Sequence, residues 1–224
     1  MGNNILGCID HYVLKVSKQN VLEAKEENEQ RSGRTEGDIA EIAGEIGIGP
    51  QVYHHGVCKT NKTTQYHYIV MDLIRGNPLS NESWENLINQ IVPILAIIIQ
   101  FYLEHGILHY DVHFDNVFKE KKTGELKLID YARSVDKFYL ERQNERNTVG
   151  IQDSELREWI WAQNLLLSVF DRLMKFLIEK IDSKTIAQLR SIVKMTMKNL
   201  NLYLAKLPCL PRLRIFNIHN MHSP

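Results

Sequence analysis

The sequence predicts an α+β protein with two lobes of unequal size, and two observations carry this prediction. Segments rich in β-forming residues dominate the first third of the chain, whereas helical periodicity dominates the remainder. Between the two parts, Gly76, Asn77 and Pro78 break the chain. We therefore expect a small β-rich lobe over residues 1–75 and a larger helical lobe over residues 76–224.

The small lobe is expected to contain strands around one well-defined helix. An alternating run predicts a strand at residues 11–17, and the polar residues 19–34 after it predict a loop or a weak, exposed helix. Residues 35–46 have a helical pattern that ends at a Gly-Ile-Gly-Pro stop. Two further strands, at residues 51–58 and 66–74, flank a polar turn.

The large lobe is expected to be mostly helical. Apolar periodicity predicts helices at residues 82–90, 94–104, 154–181 and 183–204. Gly106 is the expected end of the second of these helices. Two short strands, at residues 116–119 and 126–129, flank a Lys-Thr-Gly turn, and residues 133–151 have no strong period and are predicted to be irregular.

Composition excludes several classes of protein. The formal net charge of the 224 residues is zero, so we expect neither a nucleic-acid binder nor a protein of acidic membranes. The longest apolar run, residues 91–99, contains Pro93 and is far shorter than the roughly twenty residues of a membrane span. The three cysteines, Cys8, Cys58 and Cys209, are scattered, which favours a reducing, intracellular and cytoplasmic location over a disulfide scaffold.

One run of residues carries the chemistry. The sequence HYDVHFDN contains Asp111 and, five residues later, Asn116; it follows a glycine-terminated helix and leads into a strand. Asp130 comes at the end of the next strand, across a hairpin. These three side chains can converge on one point. Phosphoryl transfer uses such a set: one carboxylate positions the attacking hydroxyl, while an amide and a second carboxylate hold magnesium.

The same residues resemble the motifs of protein kinases. HYDVHFDN resembles the H-x-D-x-x-x-x-N catalytic loop, and LIDYARS around Asp130 resembles the metal-binding D-F-G segment. Lys15, in YVLK, resembles the strand lysine that grips the ATP phosphates. The run YIVMDLI resembles the hinge strand, which implies that the backbone of Asp72 and Ile74 bonds the adenine with Met71 behind it.

The family also has a helix glutamate that pairs with the strand lysine. Glu36 shares one helical face with Ala40, Ala43 and Gly47, and these small residues would let the helix pack closely. Glu41 lies off that face, so we predict that Glu36 is the partner of Lys15. The phrase GIGPQVY after this helix is similar to atypical serine/threonine kinases of large DNA viruses. The resemblance covers residues 15–134, about half of the chain.

Several features depart from the family pattern. Only Gly2 and Gly7 precede Lys15, and they do not form a G-x-G-x-x-G loop, so we expect a minimal fold truncated at its N-terminus. Tyr110 stands where many protein kinases have the arginine that answers activation-loop phosphorylation. Ala132 replaces the glycine of D-F-G, and no A-P-E segment follows, which implies a reduced or different platform for a peptide.

The loop contains two histidines, and the sequence leaves the role of one open while it predicts a structural role for the other. His113 stands where aminoglycoside and choline kinases often have a histidine, and it could support the transferring phosphate as a donor or be structural. For His109 we predict a structural role, as a buried residue that holds the loop.

The resemblance implies an ATP-dependent phosphotransferase with ATP and Mg²⁺ as cofactors. We expect transfer to a serine or threonine of a protein substrate, with no nucleic-acid or membrane partner and with a location in the host cell if the protein is viral. Catalysis would use Asp111, Lys15, Glu36 and His113; Met71, Asp72 and Ile74 would complete the ATP site, and Asn116 and Asp130 would bind metal. The alternatives are a small-molecule kinase of the aminoglycoside or choline type and a pseudokinase that acts as a binding scaffold.

Overall fold

The computed structural model describes residues 4–9, 11–60, 62–139 and 154–180, together with Lys198. The helix predicted at residues 183–204 lies outside these residues apart from Lys198, and so does most of the segment predicted to be irregular. The described part has a mixed α/β architecture, with an antiparallel sheet at its N-terminal end and helices after it.

The N-terminal sheet has four antiparallel strands in the order β1-β2-β4-β3. Its strands are β1 (Asn4–Ile9), β2 (Tyr12–Asn20), β3 (Val52–Lys59) and β4 (Thr64–Asp72). Strand β2 pairs with β4 so that Lys15 lies opposite Ile69. Because side chains alternate along a strand, Lys15 and Ser17 are both buried on one face, while Leu14 and Lys18 are exposed on the other.

Two helices follow strand β2. Helix α1 (Val21–Gln30) is capped by Asn20, whose side chain accepts a hydrogen bond from the backbone N–H of Leu22. Helix α2 (Glu36–Glu45) begins with a capping box formed by Thr35 and Asp38. Of the face predicted from the sequence, Glu36, Ala40 and Ala43 are buried, and Ile39 joins them in the core. Gly47, the fourth residue of that face, lies beyond the end of the helix and is exposed. Residues 21–30 are therefore helical, which was one of the two possibilities for the polar stretch.

Beyond Asp72 the strands are short and the helices long. Strands β5 (Gly76–Pro78), β7 (Val117–Glu120) and β8 (Leu126–Leu128) form a three-stranded sheet. Strands β6 (Ile107–Leu108) and β9 (Val135–Asp136), which precede β7 and follow β8 in the sequence, pair with each other. Helices α3 (Trp84–His105) and α4 (Ser154–Lys180) pack against each other. The two short strands predicted at residues 116–119 and 126–129 correspond to β7 and β8.

Helix α3 corrects the prediction of two helices over residues 82–104. It is one continuous helix with Pro93 inside it, and it ends at Gly106 in a left-handed conformation (φ 66°). Pro93 removes one backbone hydrogen bond but lies on the exposed face, whereas Ile91, Ile94 and Leu95 on either side of it are buried. Burial of the apolar face on both sides of the proline outweighs the lost bond and keeps the helix continuous.

The same helix is long and apolar enough, by length and composition alone, to cross a membrane. Half of its most apolar window is buried inside the protein. Its buried residues belong to one core cluster that runs from Ile39 in α2 to Leu177 in α4. Residues of both predicted lobes thus share one core, and the boundary near residue 75 remains a prediction.

Candidate active site

The centre of the site is a buried lysine between two carboxylates. The Nζ atom of Lys15 lies 2.6 Å from Oε1 of Glu36 and 2.7 Å from Oδ1 of Asp130. Lys15 comes from β2 and Glu36 from the first turn of α2. Asp130 lies two residues after the end of β8. The structure therefore joins three residues that are up to 115 positions apart in the sequence.

Glu36, and not Glu41, reaches the lysine. Glu36 is the first residue of α2 and is 7% exposed, because its helical face turns toward the sheet. The carboxylate of Glu41 lies on the other side of the helix, where its Oε2 is 3.4 Å from Nε2 of His55. A close approach at this point also depends on Gly37, since a Cβ there would lie within 2.5 Å of the His55 ring.

The electrostatics of this triad favour its charged form. Burial on its own lowers the pKa of Lys15, but the negative charges of Glu36 and Asp130 outweigh it, so the pKa lies above its ordinary value. Burial would raise the pKa of Asp130, yet the charge and hydrogen bond of Lys15 outweigh it and hold that pKa below its ordinary value. Lys15 and Asp130 therefore both remain ionised at neutral pH.

A cavity of about 250 Å³ opens beside the triad. Its lining is mostly apolar and includes Lys15 and Asp130 of the triad. The other lining residues are Val13, Pro50, Met71, Asp72, Leu73, Ile74, Phe118 and Ile129. A larger cleft of about 440 Å³ shares residues 72–74 with this cavity. That cleft contains no residue of the triad, so the smaller cavity is the candidate site.

The predicted hinge residues all line this cavity. The backbone N–H of Asp72 donates to the carbonyl of Gln51 at 2.9 Å, and the carbonyl of Ile74 accepts from the N–H of Gly76 at 2.9 Å. The N–H of Asp72 and the carbonyl of Ile74 are thus already bonded within the protein. The side chain of Asp72 points elsewhere, since its Oδ1 accepts from the hydroxyl of Tyr53.

The loop that carries Asp111 is fixed by backbone and amide contacts. It begins after β6 with Tyr110 in the left-handed region (φ 44°), which is unusual for a residue with a side chain. The amide nitrogen of Asn116 donates to the carbonyl of Asp111 at 3.0 Å, which links the two predicted site residues directly. The carboxylate of Asp111 is 22% exposed, so it faces the solvent at the edge of the site.

His109 holds this loop against the segment of Asp130. Its ring is fully buried, and its Nε2 lies 3.0 Å from the carbonyl of Ile129. The ring of Tyr131 packs on it at 4.9 Å between centroids. Burial lowers the pKa of His109, so the ring is neutral and donates its proton to the carbonyl. The structure places this residue in the buried, loop-holding position that the sequence predicted.

His113 lies apart from the buried triad. Its Nδ1 is 3.4 Å from Oδ2 of Asp115, and both side chains are more than one third exposed. The structure brings it to the same loop as Asp111 but pairs it with a neighbouring carboxylate. Its catalytic role remains a prediction.

Sequence reasoning missed the arginines around the site. Arg31, at the end of α1, is 2% exposed and donates to the carbonyl of Ala132, next to Asp130. Arg34 pairs with the buried Asp136 at 3.1 Å. Both contacts join residues about 100 positions apart, and only the polarity of the segment that holds Arg31 and Arg34 was visible in the sequence. They hold the segment after Asp130 against the turn between α1 and α2.

Comparison with known proteins gives two findings beside the geometry. A stretch of 79 residues, 33% of this chain, is 30% identical to a probable serine/threonine-protein kinase, pkgA, of Dictyostelium discoideum, and covers 6% of that protein. The kinase PK-1 of Cydia pomonella granulovirus is structurally similar over 57% of this chain and 45% of its own, with a TM-score of 0.40 and 14% identity. No family model matches the chain.

The described part of the chain has a mixed α/β architecture in which an antiparallel sheet precedes most of the helices. Its elements follow one another in the order that the sequence predicted: strand β2 with Lys15, helix α2 with the paired Glu36, strand β4, the loop of Asp111 and the segment of Asp130. The chain spans less than half the length of either relative. What it transfers, and to which acceptor, is therefore a matter for proposal.

Proposed function

We propose that the protein transfers the γ-phosphoryl group of Mg-ATP to the hydroxyl of a serine or threonine in a protein. The observation that carries this proposal is the contact of Lys15 with both Glu36 and Asp130 beside the hinge cavity. A lysine oriented by one carboxylate and adjacent to a second one is the arrangement that positions ATP phosphates and their metal in protein kinases.

In this proposal each residue has one task. The adenine occupies the cavity against residues 72–74, with Met71 behind it, and Lys15 contacts the phosphates while Glu36 holds the lysine in place. Asp111 orients the acceptor hydroxyl and takes its proton. The hydroxyl oxygen forms a bond to the γ-phosphorus as the bond between that phosphorus and the bridging oxygen of ADP breaks, so ADP leaves with the electron pair.

The donor set fits magnesium. Asp130 offers a carboxylate, and Asn116 uses its amide nitrogen on Asp111, so its amide oxygen is the atom that a cation would take. Carboxylate and amide oxygens are the ligands of Mg²⁺ in such sites, and the ion would neutralise charge on the phosphates. Asp130 and Lys15 also share a hydrogen bond, which keeps the carboxylate ionised and ready to bind a cation.

An intracellular location remains part of the proposal. Cys58 is a free, exposed cysteine, and free exposed thiols persist in reducing compartments.

The test is phosphoryl transfer from γ-labelled ATP to mixed proteins and to small alcohols. Wild-type protein should label proteins, and Asp111→Asn should lower the rate by about 10²- to 10⁴-fold, because the amide cannot accept the hydroxyl proton. Glu125→Gln is the matched control: it removes a carboxylate that is 61% exposed and lies outside the loop of Asp111, and it should retain the wild-type rate. Circular dichroism should show both variants folded.

Three outcomes would contradict the proposal. Transfer to small alcohols alone would favour the small-molecule kinase, and no transfer to any acceptor would favour the binding scaffold. Wild-type turnover by folded Asp111→Asn would show that the catalytic group lies elsewhere.

A further inference from the structure

Two arginines meet the carboxylate that we assign to the acceptor hydroxyl. Nη1 of Arg133 lies 3.4 Å from Oδ1 of Asp111, and Nη1 of Arg172 lies 3.6 Å from the same oxygen. Arg133 ends the short 3-10 turn after Asp130, and Arg172 lies on α4. Two elements that are far apart in the sequence thus each bring one guanidinium group to the same carboxylate oxygen.

Arg172 is held at this position by packing around it. On α4, Val169 and Leu173 are buried, and the ring of Phe176 lies 5.2 Å from that of Phe114 in the catalytic loop. Arg172 also donates to the carbonyl of Tyr110 at 2.7 Å, so α4 is tied to the loop on both sides of the Tyr110–Asp111 peptide. The guanidinium group is therefore a fixed part of the acceptor side of the site.

The charges at this edge do not balance. One carboxylate meets two guanidinium groups, which leaves an excess of positive charge around Asp111. Asp115 of the same loop has a carboxylate that is 61% exposed, but it lies beside the His113 ring, where its Oδ2 is 3.4 Å from Nδ1. The excess of positive charge is therefore local to the carboxylate of Asp111, where two guanidinium groups meet one anion.

Stability does not explain the two arginines. Arg133 is 72% exposed and Arg172 is 43% exposed. Exposed ion pairs contribute little to the free energy of folding. However, exposed guanidinium groups keep several N–H donors within reach of a bound molecule, and their planar fork matches carboxylate and phosphate oxygens.

We propose that Arg133 and Arg172 select a peptide acceptor whose serine or threonine is flanked by carboxylate or phosphate groups. This inference rests on the proposed function. The acceptor hydroxyl must donate to Asp111, whose Oδ1 the arginines contact. An anionic group beside the hydroxyl gives the arginines a new partner, so that Asp111 is released to the hydroxyl. A basic peptide would meet two like charges at the same point.

The experiment compares serine peptides of one length that differ only in the residues around the serine. Three series carry neutral, acidic or lysine-rich flanks, and a fourth carries one phosphoserine beside the acceptor. Transfer from Mg-ATP gives kcat/KM for each peptide, and fluorescence anisotropy gives its affinity without turnover. The proteins are wild type, Arg133→Gln, Arg172→Gln and the double variant, with Lys122→Gln at the exposed β7–β8 turn as the charge-matched control.

Acidic and phosphorylated peptides should exceed the lysine-rich peptide in kcat/KM and in affinity by at least about tenfold at low salt. Each single variant should reduce this ratio by about fivefold, the double variant should abolish it, and Lys122→Gln should leave it unchanged. Higher salt should reduce the wild-type ratio, because the arginines are exposed. Comparison of the acidic peptides with the phosphoserine peptide shows whether the arginines require negative charge in general or a phosphate group.

Equal or inverted preference by the wild type, or a ratio that survives in the double variant, would overturn the proposal. The two readouts also separate it from the proposed function. If no peptide is phosphorylated but the acidic peptide binds and the double variant loses that binding, the arginines select anionic peptides and the proposed kinase activity is wrong. If phosphate is transferred without regard to flanking charge, the protein is a kinase and the proposed selection by the arginines is wrong.

Discussion

The two halves of the candidate site differ in burial and in charge. On the nucleotide side, Lys15 and Glu36 are each 9% exposed at the side chain and surrounded by core residues, and two carboxylates share one lysine. On the acceptor side, Asp111 is paired with arginines that are largely exposed, and two cations share one carboxylate. The first half carries excess negative charge, and the second carries excess positive charge.

This difference indicates two ways of recognising a ligand. A buried triad is preorganised: its partners are already in place, and a Mg²⁺ ion would compensate its negative excess when nucleotide binds. In an exposed cluster the charge interactions are screened by salt. We therefore expect a strict requirement for residues on the nucleotide side and a graded preference on the acceptor side.

The largest effect should follow from Lys15→Met. The change leaves Glu36 buried without its cation, which should lower the free energy of unfolding by about 3 kcal/mol and weaken Mg-ATP binding by at least about tenfold. Lys18→Met removes an exposed lysine from the same strand and should alter neither quantity. Urea unfolding and nucleotide titration would measure both. Unchanged nucleotide affinity in folded Lys15→Met would remove the lysine from the site.

A smaller effect should appear in the pH dependence of stability. Burial holds the pKa of His109 below its ordinary value in the folded protein, so as pH falls below about 6.5 the unfolded chain binds a proton before the folded one. The free energy of unfolding should therefore decrease from pH 7.5 downward until the folded pKa is passed. His67, whose pKa burial also lowers, adds to the same trend.

His109→Gln isolates the contribution of this histidine. The glutamine can still donate to the carbonyl of Ile129 but does not titrate, so the decline between pH 7.5 and 5.5 should be shallower than in wild type. Urea midpoints at four pH values would give the two slopes. Parallel slopes would mean that His109 is not buried as a neutral ring.

The smallest effect should follow from Tyr131→Phe. The hydroxyl of Tyr131 donates to the carbonyl of Leu128 at 3.0 Å, while its ring packs between His109 and Phe101. Phenylalanine keeps the ring contacts and loses one neutral hydrogen bond, which should cost about 1 kcal/mol of stability. Nucleotide affinity should remain at the wild-type value. A large loss of affinity would show that the hydroxyl reaches the nucleotide side.

The contact of Lys15 with Glu36 was predictable because both residues stand at fixed places in local patterns. The face of α2 that contains Glu36 and the alternation around Lys15 are visible over a few residues, as is the loop that contains Asp111. The arginines that meet Asp111 were missed for the opposite reason. Arg172 reaches Asp111 from a helix 61 positions away, and an exposed arginine on an amphipathic helix has no local signal.

The same distinction applies to the fold. Boundaries of α2, β3, β4, β7 and β8 were predictable, since capping residues, turns and alternation determine them locally. Helix α3 was divided at Pro93 because the sequence does not show that both sides of the proline pack into one core. Helix α1 is polar and has only Ala24 buried, but Arg31 at its end anchors it to Ala132.

Titration of Mg-ATP into wild type, Asp130→Asn and Asp111→Asn by calorimetry tests the division of the site into a nucleotide side and an acceptor side. Wild type should bind in a magnesium-dependent manner. Asp130→Asn should bind about 10- to 100-fold more weakly, because a metal ligand and a partner of Lys15 are changed, while Asp111→Asn should bind within about twofold of wild type. Failure of the wild type to bind, or equal binding by Asp130→Asn, would contradict the proposed site.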